Sequence, residues 1–398
     1  MNYSRIQVIG YVFLLSLLSI LGPLNIDMYL PSFPLIQDDL STNAMYVQMS
    51  LTSCLLGLSI GQLIFGPLSD AVGRKRPLII SLIGFTIFSF ICAFSPNIVL
   101  LIFFRFMQGF FASCGIVLSK AIARDLFDGR ALTKFFTILM VITSVAPLIA
   151  PLLGGFILSI PDSTWGMIFY ALAGLGVVIT LISTWKLKES LTKEYRIPTN
   201  FKSTVNSLVE LLKEREFLGY VLAVGFIHGG SFAYVSGTPF VYQELYGVTP
   251  QMFSLLFGIN GVAIVLGSFL FGKLSDYFSE WRVLKWFIIS SMFTSFAILI
   301  SAIMMGPLFI MVISIFTYMM SIGCILTGTF TLGMRGKYHN AGSASAHLGT
   351  LPLIFGAIAT PMSGLIEGSA IPMGATICIT AWIGSIFFLK LTTNPDVV

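Results

Sequence analysis

The sequence predicts an all-α membrane protein with about twelve transmembrane helices in two six-helix halves. Three observations support this fold class: the apolar composition, the recurrence of apolar windows of helical length, and the confinement of basic residues to alternate loops. Of the 398 residues, 56% are hydrophobic and only 10% are charged, whereas about a quarter of the residues of an ordinary soluble domain are charged. We therefore expect most of the surface of this chain to face lipid.

Apolar windows long enough to cross a bilayer recur along almost the whole chain. A hydrocarbon layer of about 30 Å requires roughly 20 apolar residues in a helix. The windows lack the alternation of transmembrane β-strands, which argues against a barrel. We interpret the first window as a retained helix, because no small-residue cleavage site follows it. The predicted spans are residues 7–30, 45–66, 77–95, 98–119, 135–157, 165–186, 217–238, 252–272, 284–304, 307–331, 342–366 and 371–390.

Lysine and arginine residues fall in alternate loops between these spans. Basic residues resist translocation and so mark the cytoplasmic side. Of the 22 Lys and Arg residues, all except Arg105 lie on one face when the chain is threaded through twelve spans. This pattern predicts a multi-pass protein of the inner membrane with both termini in the cytoplasm. It argues against binding to nucleic acid, since the basic residues are dispersed over loops without an aromatic platform.

The chain is predicted to divide into an N-terminal half at residues 1–186, a cytoplasmic linker at 187–216 and a C-terminal half at 217–398. The linker is rich in Lys and Glu, and its apolar residues are spaced as in an amphipathic surface helix. These apolar residues are Val205, Leu208, Leu211 and Leu212. The hexapeptide at 65–70 recurs in similar form at 271–276, which indicates an internal repeat.

The segment GPLSDAVGRKR at residues 66–76 resembles the loop 2/3 signature of the major facilitator superfamily, GxLxDxxGRKx. Parallel six-helix halves with a binding site near the membrane midplane are the architecture of that superfamily. Asp70 is also suited to accept hydrogen bonds from a neighbouring helix N-terminus, and Gly66 to permit close helix approach. The resemblance implies a conformational latch formed by Gly66, Asp70, Gly73 and Arg74. The second copy has Ser279 and Glu280 in place of Gly73 and Arg74, so we expect a weaker latch there.

Few ionisable residues lie inside the predicted spans. A charge in the bilayer is costly unless it has a partner or lines a wet cavity, and it therefore suggests a function. If the first helix continues to about Phe33, Asp27 and Arg105 lie at similar depths, roughly 9 and 12 Å from the outer ends of their helices. We interpret them as a proton-coupling pair in which Asp27 exchanges a proton. His228 and His347 are alternative proton carriers.

Longer stretches resemble one branch of the superfamily. The segments DMYLP at 27–31, RFMQG at 105–109 and APLIAPLLGG at 146–155 are similar to those of the bicyclomycin-resistance (Bcr/CflA) type of drug:proton antiporter. The third segment is similar to the antiporter motif GxxxGPxxGG, with alanine in place of two glycines. Small residues permit close helix packing and proline permits a bend. The motif residues expected in the fifth helix are Pro147, Pro151, Gly154 and Gly155.

The resemblance implies proton-coupled efflux of small, largely apolar compounds such as drugs, by alternating access. Two alternatives remain: a proton-driven exporter of one native metabolite or siderophore, and a passive facilitator. The expected partners are a small-molecule substrate, protons and the lipid bilayer, and the oligomeric state is left open with a monomer as the expectation. The candidate residues of the substrate cavity are Tyr29, Gln108, Tyr234, Tyr242 and Asn260.

Other functional classes lack their sequence requirements. An ATP-driven pump needs a phosphate-binding loop of the form GxxxxGKS or GxxxxGKT, and the sequence has neither. An intramembrane enzyme would need a helix-borne cluster with metal or nucleophile spacing, and HExxH is missing. The five cysteines lie singly in apolar windows without CxxC spacing. We therefore expect no enzyme activity, no cofactor and no metal site.

Overall fold

The computed structural model describes residues 5–127, 129–196, 209–335 and 341–393. These residues form twelve long helices, and none of them lies in a β-strand. In chain order the helices are α1 Arg5–Asp27, α2 Ala44–Val72, α3 Lys75–Cys92, α4 Ile98–Leu126, α5 Gly129–Leu158, α6 Gly166–Lys186, α7 Arg215–Phe240, α8 Pro250–Ser275, α9 Glu280–Ile303, α10 Leu308–Met334, α11 Ala341–Met362 and α12 Ile371–Leu391. The shorter elements are a 3₁₀ turn at Leu30–Ser32, a helix at Phe33–Asp39, a 3₁₀ turn at Lys193–Tyr195 and a π-helical turn at Val241–Leu245.

Each predicted span coincides with one of these helices. Ten helical segments within the described residues are long and apolar enough to cross a membrane. The other two long helices, α5 and α11, have 30 and 22 residues, and about 20 residues suffice for a crossing. The predicted fold class of twelve transmembrane helices is confirmed.

Several helices are longer than their apolar windows. The windows for α2 and α4 ended at residues 66 and 119, but these helices continue to Val72 and Leu126. A helix continues past the edge of the apolar layer as long as its backbone hydrogen bonds are made. As a result, the first part of the loop 2/3 signature, including Gly66 and Asp70, lies in α2 and not in a loop.

The first helix is shorter than expected. It ends at Asp27 and does not continue to Phe33, because the 3₁₀ turn at Leu30–Ser32 and the separate short helix follow it. Pro31 and Pro34 lack a backbone N–H and cannot extend the hydrogen-bond ladder of α1. The condition that α1 continues as one regular helix to about Phe33, on which the depth of Asp27 depended, is therefore not met.

Local sequence signals set the start of α4 and the turn that precedes α3. The side chain of Asn97 accepts a hydrogen bond from the Leu100 N–H at 3.0 Å and caps α4. Between α2 and α3 the chain reverses at Gly73, whose φ of +101° lies in a region that residues with a side chain rarely adopt.

The chain forms two compact units. The first comprises Met1–Leu40 and Ser53–Asn200, and the second comprises Ser41–Thr52 and Phe201–Val398. The first turns of α2 therefore belong to the second unit. There the Gln48 amide nitrogen donates a hydrogen bond to the Ser236 carbonyl oxygen at 3.2 Å.

Much of the predicted amphipathic linker helix, including Val205 and Leu208, lies outside the described residues. Leu211 is described, and its side chain is buried in an apolar cluster. The cluster also contains Phe217, Val221, Val224, Ala344 and Leu348. The end of the linker thus packs against α7 and α11 in the second unit.

Glycines bring helix backbones into contact at equivalent places in the two units. A Cβ atom on Gly61 of α2 would overlap the Phe110 carbonyl oxygen of α4. A Cβ atom on Gly267 of α8 would overlap the Met320 carbonyl oxygen of α10. Gly61 and Gly267 have the same separation in sequence as the repeated hexapeptides, so the internal repeat extends to the helix contacts.

Candidate functional site

The centre of the first unit contains a buried arginine held by neutral groups. Arg105 of α4 is 0% exposed. Its Nη1 donates hydrogen bonds to Asn25 Oδ1 and Gln108 Oε1, both at 2.6 Å, and its Nη2 donates to the Asn25 carbonyl oxygen at 2.8 Å. The guanidinium also lies 4.1 Å from the centroid of the Tyr29 ring. A planar guanidinium can bind several acceptors and an aromatic face at once, which a lysine cannot do.

A second layer of hydrogen bonds orients the groups that hold Arg105. Gln108 Nε2 donates to Ser89 Oγ at 2.7 Å, and Asn25 Nδ2 donates to Cys54 Sγ at 3.2 Å. These contacts keep both amide oxygens directed at the guanidinium. We refer to Asn25, Ser89, Arg105 and Gln108 as the arginine network. Arg105 and Gln108 are candidates from the sequence, whereas Asn25 and Ser89 enter the site only in the structure.

Asp27 lies apart from this network. It is the last residue of α1 and is 6% exposed, and it is the one acidic side chain in the described residues that is buried. No ion pair joins it to Arg105, whose two terminal nitrogens bind Asn25 and Gln108 instead. Two residues correspond to about 200° around a helix, so Asn25 and Asp27 lie on nearly opposite faces of α1.

The glycine-rich motif of α5 contacts the residue that follows Asp27. A Cβ atom on Gly154 would overlap the Met28 carbonyl oxygen and would lie 3.5 Å from the Pro31 ring. Pro147 and Pro151 lie inside the same helix, and Gly155 is buried beside Gly154. The antiporter-like motif thus packs directly on the turn at the end of α1.

The remaining candidates for the substrate cavity lie in the second unit. Tyr234, Tyr242 and Asn260 are 2%, 0% and 3% exposed. Asn260 Nδ2 donates a hydrogen bond to Tyr234 Oη at 2.7 Å. The five candidates therefore form separate groups: Tyr29 and Gln108 contact Arg105, whereas Tyr234 and Asn260 contact each other.

The predicted latch is an ion-pair cluster around Arg74. Nη1 of Arg74 donates to Asp70 Oδ1 at 2.5 Å and to Ser69 Oγ at 2.8 Å, and Nε donates to Asp125 Oδ2 at 3.0 Å. Burial lowers the pKa of Arg74, but the hydrogen bonds to Asp125 and Asp70 outweigh this effect and leave the pKa above its ordinary value. The cluster therefore links the end of α2 to the end of α4 through a permanent positive charge.

The N-terminus of α3 is capped by Glu189, an acid that the sequence alone does not connect to this helix. Glu189, which follows α6, accepts hydrogen bonds from the backbone N–H groups of Arg74 at 2.8 Å and Lys75 at 3.2 Å. Asp70, which the sequence suggests as an acceptor for a neighbouring helix N-terminus, instead accepts a hydrogen bond from the Arg74 side chain. Gly66 does not provide a close helix approach either, because a Cβ atom there would make an ordinary 3.7 Å contact with Val117.

We expect Glu189→Gln to weaken the N-terminus of α3 by about 1 kcal/mol, because an amide lacks the charge and the second oxygen that cap it. Hydrogen exchange of the Arg74 and Lys75 amides, measured by mass spectrometry, should become faster in the variant. Glu194→Gln is the matched control, since Glu194 is an exposed acid of the same segment. Equal exchange in the two variants would contradict the capping role.

Comparison with known protein families assigns the chain to one of them. Residues 15–361 match the Major Facilitator Superfamily. The chain belongs to the major facilitator superfamily. It is a multi-pass membrane transporter and not an enzyme, and the family predicted from the loop 2/3 signature is confirmed.

Relatives in this superfamily match the chain over nearly its full length. An uncharacterized MFS-type transporter of Bacillus subtilis, YdgK, is 55% identical over 384 residues, which are 96% of each chain. A bicyclomycin resistance protein homolog of Haemophilus influenzae is 29% identical over 382 residues, 95% of this chain and 96% of the relative. The predicted resemblance to the bicyclomycin-resistance type is also confirmed.

Solved structures of transporters have the same fold. A bacterial homolog of the human lysosomal transporter Spinster, in an inward-facing and occupied conformation, has a TM-score of 0.79 at 15% identity and covers 99% of this chain and 100% of its own. The xylose transporter XylE of E. coli has a TM-score of 0.75 at 13% identity, with coverage of 98% and 99%. At such low identity these likenesses concern the fold alone.

Proposed function

We propose that this transporter exports small, largely apolar compounds such as drugs across the inner membrane in exchange for protons. The observation that carries the proposal is Asp27, a buried carboxylate at the end of a transmembrane helix. A carboxylate is costly at such a position unless it serves in binding or proton transfer. Its proton can be gained and lost in each cycle, whereas Arg105 keeps its charge.

The contact between α5 and the turn after Asp27 would couple protonation of Asp27 to movement of α5. Neutralising Asp27 removes the need to hydrate its charge, which favours burial of the turn against Gly154. Ionising it favours an arrangement in which water reaches the carboxylate. Since Gly154 packs on the Met28 carbonyl oxygen, any displacement of this turn must be accommodated by α5.

The names of relatives support a drug substrate. Besides the bicyclomycin resistance protein homolog, a multidrug resistance protein of Escherichia coli, MdtL, is 32% identical over 231 residues, 58% of this chain and 57% of the relative.

In the proposed transport cycle, the halves at residues 1–186 and 217–398, joined by the linker at 187–216, expose the substrate site to one side of the membrane and then to the other. The distribution of basic residues supports cytoplasmic termini.

The test compares wild type with Asp27→Asn after purification and reconstitution into liposomes. Proton release is recorded with an internal pH-sensitive dye under an imposed pH gradient, and a panel of antibiotics and cationic dyes is added. We expect substrate-dependent proton release from wild type and none from Asp27→Asn, because the amide cannot exchange a proton. Asp38→Asn, the same change at an exposed acid, should behave as wild type.

Three results would contradict parts of this proposal. Equal proton release from Asp27→Asn and wild type would exclude Asp27 as the carrier and direct attention to His228. Substrate movement by wild type without any dependence on the gradient would indicate a passive facilitator. A response to a single native metabolite, with none to the panel, would indicate a dedicated exporter.

A further inference from the structure

Asn260 Oδ1 is one of several buried polar atoms in the described part of the second unit that have no hydrogen-bond partner. Asn260 of α8 is 3% exposed, and its Nδ2 donates to Tyr234 Oη at 2.7 Å and to the Leu256 carbonyl oxygen at 3.1 Å. Its Oδ1 is buried and accepts no hydrogen bond from the described residues. Leaving a buried acceptor unpaired costs about 1–3 kcal/mol, and such atoms are uncommon in folded proteins.

The orientation of this amide is fixed by its neighbours. The Leu256 carbonyl oxygen can only accept a hydrogen bond, so the amide nitrogen must face it. Reversing the amide would place two acceptors against each other and would leave the nitrogen in the unpaired position. The free hydrogen-bonding capacity of Asn260 is therefore that of an acceptor.

The aromatic rings near Asn260 form a continuous series. The Tyr234 ring stacks on Phe257 with centroids 5.2 Å apart and an angle of 9° between the planes. Phe257 contacts Phe253 at 5.7 Å, and Phe253 contacts Tyr242 at 6.3 Å. Tyr242 is fully buried, and its Oη also has no hydrogen-bond partner among the residues that the structure describes. An apolar series of rings with a hydrogen-bonding atom near each end suits a flat aromatic compound.

We propose that Asn260 Oδ1 is a substrate contact that accepts a hydrogen bond from an N–H or O–H group of a flat aromatic compound, neutral or cationic. The aromatic faces favour a cation. A carboxylate is disfavoured, because it would meet another acceptor, and the buried side chains described in the second unit include no Lys or Arg. This inference deepens the proposed function and rests on it, since it names the class of compound that would be exported.

The test uses two cationic dyes with the same xanthene ester framework. Rhodamine 6G has N–H groups on its amines, whereas rhodamine B ethyl ester has fully alkylated amines. Binding to the purified full-length protein in nanodiscs is measured by fluorescence anisotropy. We expect wild type to bind rhodamine 6G about five- to tenfold more tightly, the contribution of roughly one hydrogen bond.

The variant Asn260→Leu should lose this preference while its affinity for rhodamine B ethyl ester stays within about twofold of wild type, which also shows that it is folded. If that variant does not fold, Asn260→Ala replaces it. Tyr234→Phe removes a partner of the amide nitrogen but keeps Oδ1, so it should retain the preference for rhodamine 6G.

Equal affinity of wild type for both dyes, binding of neither dye, or a preference that persists in both Asn260 variants would overturn the inference. The binding assay contains no pH gradient, so its result does not depend on proton coupling. If Asp27→Asn does not alter proton release, the proposed function is contradicted. The dye affinities of wild type and the Asn260 variants still test the role of Asn260 in that case.

Discussion

Arg105→Met is expected to destabilise the protein by about 2–4 kcal/mol, because it removes the donor for three acceptor positions in the arginine network. Hydrogen bonds to a charged group contribute about 1.5–3 kcal/mol each, and burial of the charge offsets part of this gain. Without the guanidinium, Asn25 Oδ1 remains buried and unpaired, and Gln108 Oε1 keeps only the 3.8 Å hydrogen bond from Cys92 Sγ. Thermal unfolding of the purified protein in detergent measures the loss.

The matched control is Arg124→Met in the same helix, since Arg124 is exposed and its replacement should leave unfolding nearly unchanged. Arg105→Lys should fall between the two, because lysine keeps the charge but cannot bind Asn25 and Gln108 with a planar fork. If Arg105→Met unfolds at the same temperature as Arg124→Met, the network does not stabilise the fold.

Gly267→Leu is expected to prevent the close contact of α8 with α10 and to reduce the yield of folded protein severely. Even a Cβ atom at this position overlaps the Met320 carbonyl oxygen, and a backbone atom cannot move aside as a flexible side chain can. Overpacking costs about 1–3 kcal/mol for a few added methylenes, and a whole leucine between two helix backbones exceeds that range. Size-exclusion chromatography of a fluorescent fusion measures the folded fraction.

Gly272→Leu provides the control within α8, because a Cβ atom there meets nothing within 4 Å. Both variants make the same change in hydrophobicity and in helix propensity. A similar folded yield from the two would mean that α8 and α10 can separate without loss of the fold, contrary to the packing described above.

The sequence predicted the number and type of helices because the bilayer imposes a minimum apolar length. It predicted their ends less well, since the end of a helix depends on local hydrogen bonding and not on hydrophobicity. The extension of α2 to Val72 and of α4 to Leu126 illustrates this difference. Pro31 and Pro34 do indicate that α1 ends before them, but the predicted span was placed by its apolar residues and did not take the prolines into account.

The arginine network was predictable from the sequence only at its charged residue and one helical turn from it. Arg105 is conspicuous in an apolar span, and Gln108 lies one helical turn away on the same face. Asn25 and Ser89 are neutral, and nothing in a single sequence distinguishes them from the many polar residues that lie in helices. Glu189 and Asp125 were missed because they meet Arg74 only in the folded chain, from more than 50 residues away.

Among the described residues, neutral groups hold Arg105 and no carboxylate pairs with it, which has an electrical consequence. Arg105 keeps its charge throughout the cycle, so the net charge moved depends only on the proton that Asp27 carries and on the charge of the exported compound. If Asp27 carries one proton inward per cycle, export of a neutral compound moves one net positive charge into the cell, and export of a monovalent cation moves none. The membrane potential, worth about 2.3 kcal/mol per charge at 100 mV, would then drive the export of neutral compounds but contribute nothing to that of cations.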